Sequence, residues 1–442
     1  MKKNAQSSTF KAGMFLLENL TSGMYNDPLT IYREYIQNSV DAIEVKLNPK
    51  GASISIELDP FNKTISVSDT GVGISSREAE SILGSIGCSN KAETGLRGFR
   101  GIGRLGGLAF CDRAIFRTKA VGENIESIQE WDCKHLRHIL SNHKKTPFTL
   151  QELFYNVTKL YKENHKKPDD SYFKVTLEGV SSFRNYIFDI HKVKNYISQV
   201  APAPLDHNQF KFAGMLNNYL KAKIATYKTF PIYLNGEKIY KPYRNEFRTT
   251  NKGSDFLDDV EPFVLKAENQ VLAYGWYGKR NNFLGAINRT ENIAGIRVRA
   301  GNILIGDAHL LDECFREPRF NGYVIGEIHI VSKEIIPNSR RDDFVDNPTK
   351  AFFYNAVEKE IGLSLSKQIR AQSQKLSKQK SSNSQLPISI EKNAPPQSAS
   401  PDQQSRNFVK PDLIKQTEKE LLNKIISSCG KCAKLAAILN IK

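Results

Sequence analysis

The sequence predicts an α+β fold in which an N-terminal region of helices and short strands precedes a β-rich domain. Residues 1–120 mix strong helix signals with short strands, whereas residues 228–335 hold four runs with the alternation of strands. Residues 376–407 are rich in Ser, Gln, Asn and Pro and poor in apolar residues, which predicts a disordered linker.

These shifts in composition predict four regions. An N-terminal domain covers residues 1–225, with a polar, Lys- and His-rich insertion at 121–170 that we expect to contain a helix or two. A second domain follows at 226–365, then a disordered linker at 366–410. A short helical segment occupies residues 411–442, where "PDLIKQTEKELLNKIISS" carries a stripe of Leu and Ile.

Composition excludes several classes of protein. The 442 residues are 40% hydrophobic and 25% charged, which is typical of globular domains. No apolar run is long enough for a membrane span, and the N-terminus lacks the pattern of a secretion signal. The six scattered cysteines suit a reducing cytoplasm rather than a disulfide scaffold. Cys429 and Cys432 form a C-x-x-C, which is half a zinc site, and we interpret them as incidental thiols.

The net charge of +16 is unevenly distributed. Residues 364–442 contain 14 Lys and Arg against five Asp and Glu, and so hold +9 of the total. A basic protein attracts nucleic acid or anionic surfaces, although a basic tail is equally a solubilising segment. The excess lies away from the motifs described next.

The segment "NDPLTIYREYIQNSVDAIEVKL" predicts the first helix. Asp27 is a favourable N-cap residue and Pro28 a favourable first helical residue. Glu34, Asn38 and Asp41 follow at i, i+4 and i+7, so they share one stripe of the helix. Such a stripe on its own is typical of a solvated helix face.

A β-hairpin is predicted next, and its second strand ends at a polar turn. Apolar residues alternate in "ASISIELDPFNKTISVSDTG" on both sides of a turn at residues 60–62. Asp69 stands at the strand end beside Gly71 and Gly73. A carboxylate there can accept a hydrogen bond from an amine, and the glycines let the backbone approach a flat ligand closely. The D-x-G-x-G pattern alone also fits a plain turn.

A glycine-rich segment, "GLRGFRGIGRLGG", places six glycines in residues 95–107. Backbone N–H groups of such a loop can surround an anion, and a following helix N-terminus adds partial positive charge. The segment lacks the G-K-[ST] of a P-loop and does not follow a strand within a βαβ unit. Read alone, it is also compatible with a flexible loop.

The remaining elements follow from periodicity. "SREAESILGSIGCSN" predicts a helix that ends at Gly84 and Gly87, and "DRAIFRTKA" and "SYFKVTLEGV" predict strands. Helical residues extend to about residue 225. The strands of the second domain come from "TFPIYLNGEKIY", "QVLAYGWYG", "AGIRVRAGNILIG" and "GYVIGEIHIVS". A long amphipathic helix, "NPTKAFFYNAVEKEIGLSLSKQIRAQSQKL", then closes that domain.

The order of the acid–amide helix, the strand-end D-x-G-x-G and the glycine-rich lid resembles the GHKL ATPases. This superfamily includes Hsp90, type II topoisomerase ATPase subunits, mismatch-repair ATPases and sensor histidine kinases. "REYIQNSVDA", "SDTGVGI" and "GIGRLGGLAF" are most similar to the Hsp90-like branch, followed by Morc-type ATPases. The resemblance covers residues 14–120 and implies a Bergerat ATP-binding fold, which is an α/β sandwich with helices on one face of a mixed sheet. It also implies that a β-rich, S5-like transducer domain follows.

The resemblance also implies roles for the motif residues. Asn38 would hold Mg²⁺ against the phosphates of ATP, and Glu34 would orient and deprotonate the attacking water. Asp41 would support the nucleotide pocket, and Asp69 would accept the adenine amine. The other implied ATP contacts are Gly71 and Gly73 at the base, Gly101, Gly103, Gly106 and Gly107 in the lid, and Arg100 and Arg104 at the phosphates. Arginines in such loops are as often solvated.

One position departs from the family. The strand that returns to the pocket usually carries Gly-Thr, whose hydroxyl helps to read adenine, and here the matching residues are Tyr172 and Phe173. Ser171 or Thr176 would have to compensate, and strand alternation places only one of them inward. The sequence leaves this choice open.

The second domain offers a candidate for coupling to the nucleotide. In the family a basic or polar residue of the transducer domain reaches the γ-phosphate. The polar loop "IIPNSRRDDF" places Arg340 and Arg341 after a predicted strand, where either could stabilise charge in the transition state. Alternatively, both arginines pair with Asp342 and Asp343 in a surface turn.

The resemblance implies an Mg²⁺-dependent enzyme that hydrolyses ATP to ADP and phosphate, and the sparse cysteines predict a cytoplasmic location. The carboxylate at Glu34 favours hydrolysis over phosphotransfer to histidine. The resemblance to Hsp90 implies lid closure and ATP-dependent homodimerisation, coupled to action on a protein client or partner. In the family the first strand and helix often cross to the partner subunit, and "STFKAGMFLLENL" either does so or packs on its own domain. The alternative is a nucleic-acid-acting ATPase of the Morc or mismatch-repair kind that uses the basic tail.

Overall fold

The computed structural model describes residues 27–46, 51–86, 103–142, 149–251, 253–280, 283 and 285–383. Within them the fold class is confirmed: an α/β sandwich on a mixed sheet is followed by a β-rich region. Some predictions lie outside the described residues: the N-terminal segment "STFKAGMFLLENL", Gly87, Arg100, Gly101, Cys429, Cys432 and the helix expected within 411–442.

Nine α-helices and fifteen strands are present among the described residues. The helices are α1 (Thr30–Glu44), α2 (Ala79–Gly84), α3 (Cys133–Ser141), α4 (Leu150–Val157), α5 (Arg184–Ile187), α6 (Ile190–Val200), α7 (Ala213–Lys223), α8 (Pro348–Val357) and α9 (Leu363–Asn383). The strands are β1 (Ile54–Asp59), β2 (Thr64–Asp69), β3 (Arg113–Lys119), β4 (Ile125–Asp132), β5 (Thr158–Asn164), β6 (Tyr172–Glu178), β7 (Ile232–Leu234), β8 (Glu237–Lys238), β9 (Glu246–Arg248), β10 (Ser254–Phe256), β11 (Asp259–Ala267), β12 (Gln270–Lys279), β13 (Gly295–Ala300), β14 (Ile303–Ile305) and β15 (Ile325–Ile330).

The first sheet has eight strands in the order β5-β4-β3-β6-β2-β1-β7-β8. All its neighbouring pairs are antiparallel except β1 and β7, which makes the sheet mixed. The predicted hairpin is β1 and β2, in which Ile56 pairs with Val67. Their inward residues share one apolar core with α1, whose Ile31, Val40 and Ile43 are buried.

The second sheet has the order β11-β12-β15-β13-β14. Its core includes Ile296, Val298 and Ile328 and is covered by α8 and α9, the predicted long helix. A π-helical turn at Glu358–Gly362 separates these two helices. A side chain at Gly362 would lie 1.9 Å from the carbonyl oxygen of Cys314, so only glycine allows this close approach.

The start of α1 differs from the prediction. The helix begins at Thr30, and its N-cap residue, Leu29, makes no side-chain capping bond. Asp27 instead accepts the N–H of Leu29 through Oδ1 at 2.9 Å, because residues 27–29 form a tight turn with i to i+3 hydrogen bonds. Asp27 therefore stabilises the turn before the helix rather than the helix itself.

The path of the chain between the sheets also differs from the prediction. "TFPIYLNGEKIY" forms β7 and β8, which extend the first sheet rather than the second. Helix α7, placed in the first domain by the sequence, packs its buried Leu216 and Leu220 in a cluster with Trp276 of β12. The chain therefore crosses between the two sheets near residue 225, and the exact domain boundaries stay a prediction.

Two further segments are more ordered than predicted. The insertion at 121–170 contains α3 and α4 as expected, but it also adds β4 and β5 to the edge of the first sheet. Helix α9 continues to Asn383, so the linker does not begin at residue 366. Leu365 and Ile369 are buried in the second core and hold this helix in place.

Candidate nucleotide site

The polar stripe of α1 lies partly inside the protein. Glu34 and Asp41 are buried at 8% and 1% exposure, and Asn38 is half-buried. Carboxylates are seldom buried without partners, so a solvated helix face does not describe this stripe. The structure places the three residues on one helix face as the spacing predicted.

Glu34 is in contact with two arginines. Its Oε1 lies 3.5 Å from Nε of Arg33 and 3.8 Å from Nε of Arg341, and both guanidinium groups are largely buried. On its other side the carboxylate faces Gly103, where an added side chain would lie 2.5 Å from Oε2. Glu34 thus stands between the end of the glycine-rich segment and the loop of the second domain.

Arg341 and Arg340 point in different directions. Arg341 is 8% exposed, has a positive φ of 58° and reaches Glu34. Arg340 is exposed and pairs with Asp342 at 3.2 Å, whereas its carbonyl oxygen accepts a hydrogen bond from Nη2 of Arg33 at 3.0 Å. The surface-turn alternative therefore describes Arg340 but not Arg341.

Asp69 ends β2 on the face of the sheet that α1 covers. It is 3% exposed, and its Oδ1 accepts the N–H of Gly71 at 2.8 Å. Burial raises the pKa of this carboxyl to about 6, although the hydrogen bonds from Gly71 and from the side chain of Ser39 favour its ionised form. The sequence reading missed Ser39, which directly follows Asn38 on α1.

Both glycines after Asp69 are required by close contacts. A side chain at Gly71 would lie 2.7 Å from Cβ of Ala42, so α1 and this turn pack backbone to backbone. Gly73 has φ of +67°, and a side chain there would lie 2.0 Å from the carbonyl oxygen of Lys119. These glycines hold the turn tightly against α1 and the end of β3.

The register of β6 shows which of the two hydroxyl residues, Ser171 or Thr176, lies near the turn after Asp69. Phe173 is the cross-strand neighbour of Asp69, whereas Thr176 has the opposite parity and lies on the other face of the sheet. Ser171 is the residue near the turn, since its hydroxyl donates to the carbonyl oxygen of Gly71 at 2.7 Å. Lys46 in turn donates to the Ser171 hydroxyl at 3.2 Å.

A second hydroxyl, missed by the sequence reading, supports the same turn. Thr118 of β3 accepts the N–H of Ile74 at 2.8 Å and donates to the carbonyl oxygen of Tyr172 at 3.1 Å. Thr118 also pairs with Phe173 across β3 and β6. A threonine inside an apolar strand gives no signal in a single sequence, because threonine is common in strands.

The last part of the glycine-rich segment forms a 3₁₀-helix, Gly103–Ala109. Gly106 and Gly107 are buried, and a side chain at Gly107 would lie 2.1 Å from the hydroxyl of Tyr35. The guanidinium group of Arg104 donates to the carbonyl oxygens of Ile82, Leu83 and Ser85 near the end of α2. Burial lowers its pKa to about 10. Its predicted phosphate contact would require the loss of these bonds.

The donor set suits a metal that is shared with a ligand. No group of three or more His, Cys, Asp or Glu residues in the described ranges could hold an ion by itself. Mg²⁺ binds oxygen ligands and is commonly held by one or two protein groups together with substrate phosphates. The half-buried amide of Asn38 beside the carboxylates of Glu34 and Asp41 fits that mode of binding.

Comparison with known proteins identifies the domain that holds these residues. Residues 29–166 match the family model described as "Histidine kinase-, DNA gyrase B-, and HSP90-like ATPase". These residues form a GHKL ATPase domain. The GHKL match contains Glu34, Asn38 and Asp69, together with the 3₁₀-helix, so all three sequence motifs fall within it.

The relatives of this GHKL domain belong to the Hsp90-like branch. "Chaperone protein HtpG" of Halalkalibacterium halodurans is 30% identical over 138 residues, which are 26% of this chain and 22% of HtpG. HtpG of Acinetobacter baylyi is 30% identical over 142 residues, with the same shares of both chains. "Heat shock protein 90-5, chloroplastic" of Arabidopsis thaliana is 23% identical over 370 residues, 74% of this chain and 46% of its own length.

The chain therefore spans less than half the length of these relatives. Among the described residues, no helix combines the length and apolarity that crossing a membrane requires. The described cysteines Cys111, Cys133 and Cys314 are free thiols and are buried.

Proposed function

We propose that this protein binds ATP with Mg²⁺ and hydrolyses it to ADP and phosphate as an Hsp90-like clamp. The observation that carries the proposal is the position of Glu34, between Gly103 of the glycine-rich segment and Arg341 of the second domain. A buried carboxylate beside a glycine-rich segment and an arginine supplies a proton acceptor and a charge-stabilising group, and hydrolytic phosphoryl transfer can use both.

In this proposal Asn38 contributes an amide oxygen to Mg²⁺, which would neutralise charge on the phosphates. Glu34 orients a water molecule and accepts its proton. Arg341 moves its guanidinium group from the Glu34 carboxylate towards the terminal phosphate, where it stabilises the charge that develops. Arg341 is the better of the two candidates because its side chain already lies on α1, whereas that of Arg340 lies in solvent.

The adenine ring of ATP binds at the other end of the site. Asp69 accepts a hydrogen bond from the adenine amine, while Gly71 and Gly73 keep the backbone close to the ring. Asp41 and Ser39 support this end of the pocket from α1. The lid glycines Gly101, Gly103, Gly106 and Gly107, with Arg100 and Arg104, close over the phosphates.

ATP turnover and ATP affinity in point variants test this proposal. We expect Glu34→Ala to bind ATP normally and to lose at least about 100-fold in kcat, because the proton acceptor is absent. Asp69→Asn should weaken ATP binding by about 10- to 100-fold, which is the effect of losing a charged acceptor. Glu44→Ala, at the other end of α1, is the matched control for Glu34→Ala. Normal hydrolysis by Glu34→Ala would disprove the mechanism.

The clamp function itself remains part of the proposal. ATP binding would close the lid, promote homodimerisation and couple hydrolysis to action on a protein client or partner. The cytoplasmic location is proposed from the sparse cysteines. The net charge of +16 favours one second candidate, an ATPase acting on nucleic acid through its basic tail.

A further inference from the structure

A cluster of charged side chains is buried where the two sheets meet. Glu327 of β15, at 1% exposure, lies at its centre. Its carboxylate accepts hydrogen bonds from Nε of Arg299 at 2.5 Å, from Nζ of Lys241 at 2.8 and 3.0 Å, and from the hydroxyl of Tyr243 at 3.0 Å. Nε2 of His329 lies 3.0 Å away. We call these five residues the Glu327 cluster.

The Glu327 cluster connects segments that are distant in the sequence. Arg299 donates through Nη2 to the carbonyl oxygen of Gln199 at 2.9 Å, at the end of α6, where the helix dipole favours a cation. Lys241 also donates to Oδ1 of Asn302 at 3.0 Å, and Asn302 donates to the carbonyl oxygen of Lys228 at 2.8 Å. The first sheet, α6 and the second sheet are thereby joined through charged and amide groups.

The loop that contains Arg341 is connected to strands of the same sheet. Gly306, directly after β14, donates its N–H to the carbonyl oxygen of Arg341 at 2.8 Å. β14 pairs with β13, the strand that carries Arg299. β15, which carries Glu327, leads directly into the loop that contains Arg341. The loop that contains Arg341 is therefore attached to β15 at its start and to the residue after β14 at Arg341 itself.

Helix α6 completes the connection to Glu34. Its Tyr196 hydrogen-bonds with the side chain of Thr30 in the first turn of α1, and α6 packs against α1. The chain of contacts runs from Glu34 through α1 and α6 to Arg299, and from there through β13 and β14 to Arg341. This path connects the elements that carry Glu34 and Arg341, which lie 3.8 Å apart, in addition to the direct hydrogen bond from Arg33 to the carbonyl oxygen of Arg340.

Fold stability alone gives little reason for such a cluster. Taking several charges out of water is costly, and apolar replacements of buried ion pairs are often neutral or stabilising. Burial, with the nearby charge of Arg299, lowers the pKa of Lys241 to about 7. Burial opposes ionisation of Glu327, but the charges of Arg299 and Lys241 outweigh it and hold its pKa well below the usual range. A directional, fully bonded cluster specifies one relative placement of the elements it joins.

We propose that the Glu327 cluster positions Arg341 against Glu34 and thereby sets the turnover rate rather than the affinity for ATP. Glu327, Arg299 and Lys241 are positioning residues in this proposal, because they contact neither Glu34 nor Asp69. The inference rests on the proposed ATPase function for its effect on turnover. The positioning of the Arg341 loop by the Glu327 cluster does not depend on that function.

A double-mutant cycle on the full chain tests the proposal. We expect Glu327→Gln to lower kcat by about 10- to 100-fold, the cost of misplacing a group by about 1 Å, with ATP affinity unchanged. In an Arg341→Ala background the same substitution should lower kcat no further, because the group it positions is absent. Equal effects in both backgrounds would overturn the proposal, as would an unchanged kcat in the single variant.

The matched control is a buried ion pair elsewhere in the β-rich region. Asp255 pairs with Arg280 at 2.5 Å and is 4% exposed. Among the described residues, the hydrogen bonds of Arg280 go to Asp255, Tyr323 and Gly285, and none of these three lies in α6 or in the Arg341 loop. Asp255→Asn should leave kcat unchanged. A loss of kcat equal to that of Glu327→Gln would show a general effect of buried charge. If Glu327→Gln does not fold, Tyr243→Phe removes one hydrogen bond to the same carboxylate and replaces it in the cycle.

Hydrogen exchange provides a readout that needs no ATP hydrolysis. The N–H of Arg341 bonds to the carbonyl oxygen of Asn338, and that of Val345 to Ile336. We expect Glu327→Gln to speed exchange across residues 337–345, and Asp255→Asn to leave it unchanged. Unaltered exchange in Glu327→Gln would refute the positioning role. Absence of ATP binding and turnover in the wild type would refute the proposed function instead, and the exchange result would still decide this inference.

Discussion

Burial of Asp69 disfavours the ionised form of its carboxyl group, and we therefore expect ATP binding to depend on pH. Its pKa is raised to about 6 by burial, from an ordinary value near 3.8. Only the carboxylate is a pure acceptor for an amine. We therefore expect the dissociation constant for ATP to rise by about tenfold per pH unit below pH 6. Calorimetric titration between pH 5 and 8 measures this, and in Asp69→Asn the pH dependence should disappear.

The same pKa has the opposite consequence for stability. The folded protein holds the proton on Asp69 at pH values where the unfolded chain has lost it, so the group favours folding at low pH. This contribution is lost as the pH rises from about 4 to about 6. The difference in unfolding free energy between wild type and Asp69→Asn should follow that trend. A difference that grows above pH 6 would contradict the assignment of burial as the cause.

Arg340 and Arg341 form a natural pair for testing the contact with Glu34. Arg341→Ala should reduce kcat by about 1,000-fold or more, as loss of an arginine that stabilises a phosphoryl transition state does. Arg340→Ala removes only an exposed pair with Asp342 and keeps the carbonyl group that binds Arg33. Its kcat should stay within about twofold of wild type. Equal losses in the two variants would show that the loop as a whole, and not one guanidinium group, is needed.

For single residues, the sequence predicted the side-chain positions that follow from the periods of helices and strands. Glu34, Asn38 and Asp41 share a face because a helix has a fixed period, and Asp69 lies at the strand end that alternation predicts. The contact between Glu34 and Arg341 joins residues about 300 positions apart, and no local pattern reports it. The ion pair of Glu34 with Arg33 was also missed, because consecutive helix residues do not usually face each other.

Among the elements, the 3₁₀-helix Gly103–Ala109 packs closely against α1 at Gly107. A methyl group at Gly107 would lie 2.1 Å from the Tyr35 hydroxyl and 2.9 Å from Leu177. Gly107→Ala should therefore lower the free energy of unfolding by about 1–3 kcal/mol. Denaturant unfolding measures it. Tyr35→Phe, which removes the nearest atom, should restore part of the loss in the double variant.

The control for this prediction is Gly84 at the end of α2. An added methyl group there meets no atom within 4 Å, so Gly84→Ala should be neutral or slightly stabilising. If both alanine variants lose the same stability, then backbone conformation and not packing explains the effect.

Elements with strong periodicity, such as α1, β2 and β3, were predictable. The edge strand β5 was not, because most of its side chains are exposed and its pattern resembles a polar loop.

For the whole molecule, the arrangement of the two sheets was beyond the reach of the sequence. β7 pairs with β1 across about 180 residues, and nothing local distinguishes it from a strand of the second sheet. The Glu327 cluster was equally hidden, since charged residues in short strands suggest solvent exposure.

Knowledge of the sheets changes the design of truncations. A cut at residue 366 would remove Ile369 from the second core, whereas the chain divides naturally after Asn383.

A truncated chain ending at Asn383 separates the two candidate functions. It keeps the GHKL domain, both sheets and the Glu327 cluster, so we expect its melting temperature and its basal ATP turnover to match those of the full chain. For a clamp that acts on protein clients, unfolded protein should stimulate turnover in the full chain, and duplex DNA should not. An ATPase that acts on nucleic acid would instead show DNA-stimulated turnover that decreases steeply with salt, because each neutralised phosphate releases counterions. Loss of that stimulation on truncation would assign it to the basic residues beyond Asn383 and would favour the second candidate over the clamp.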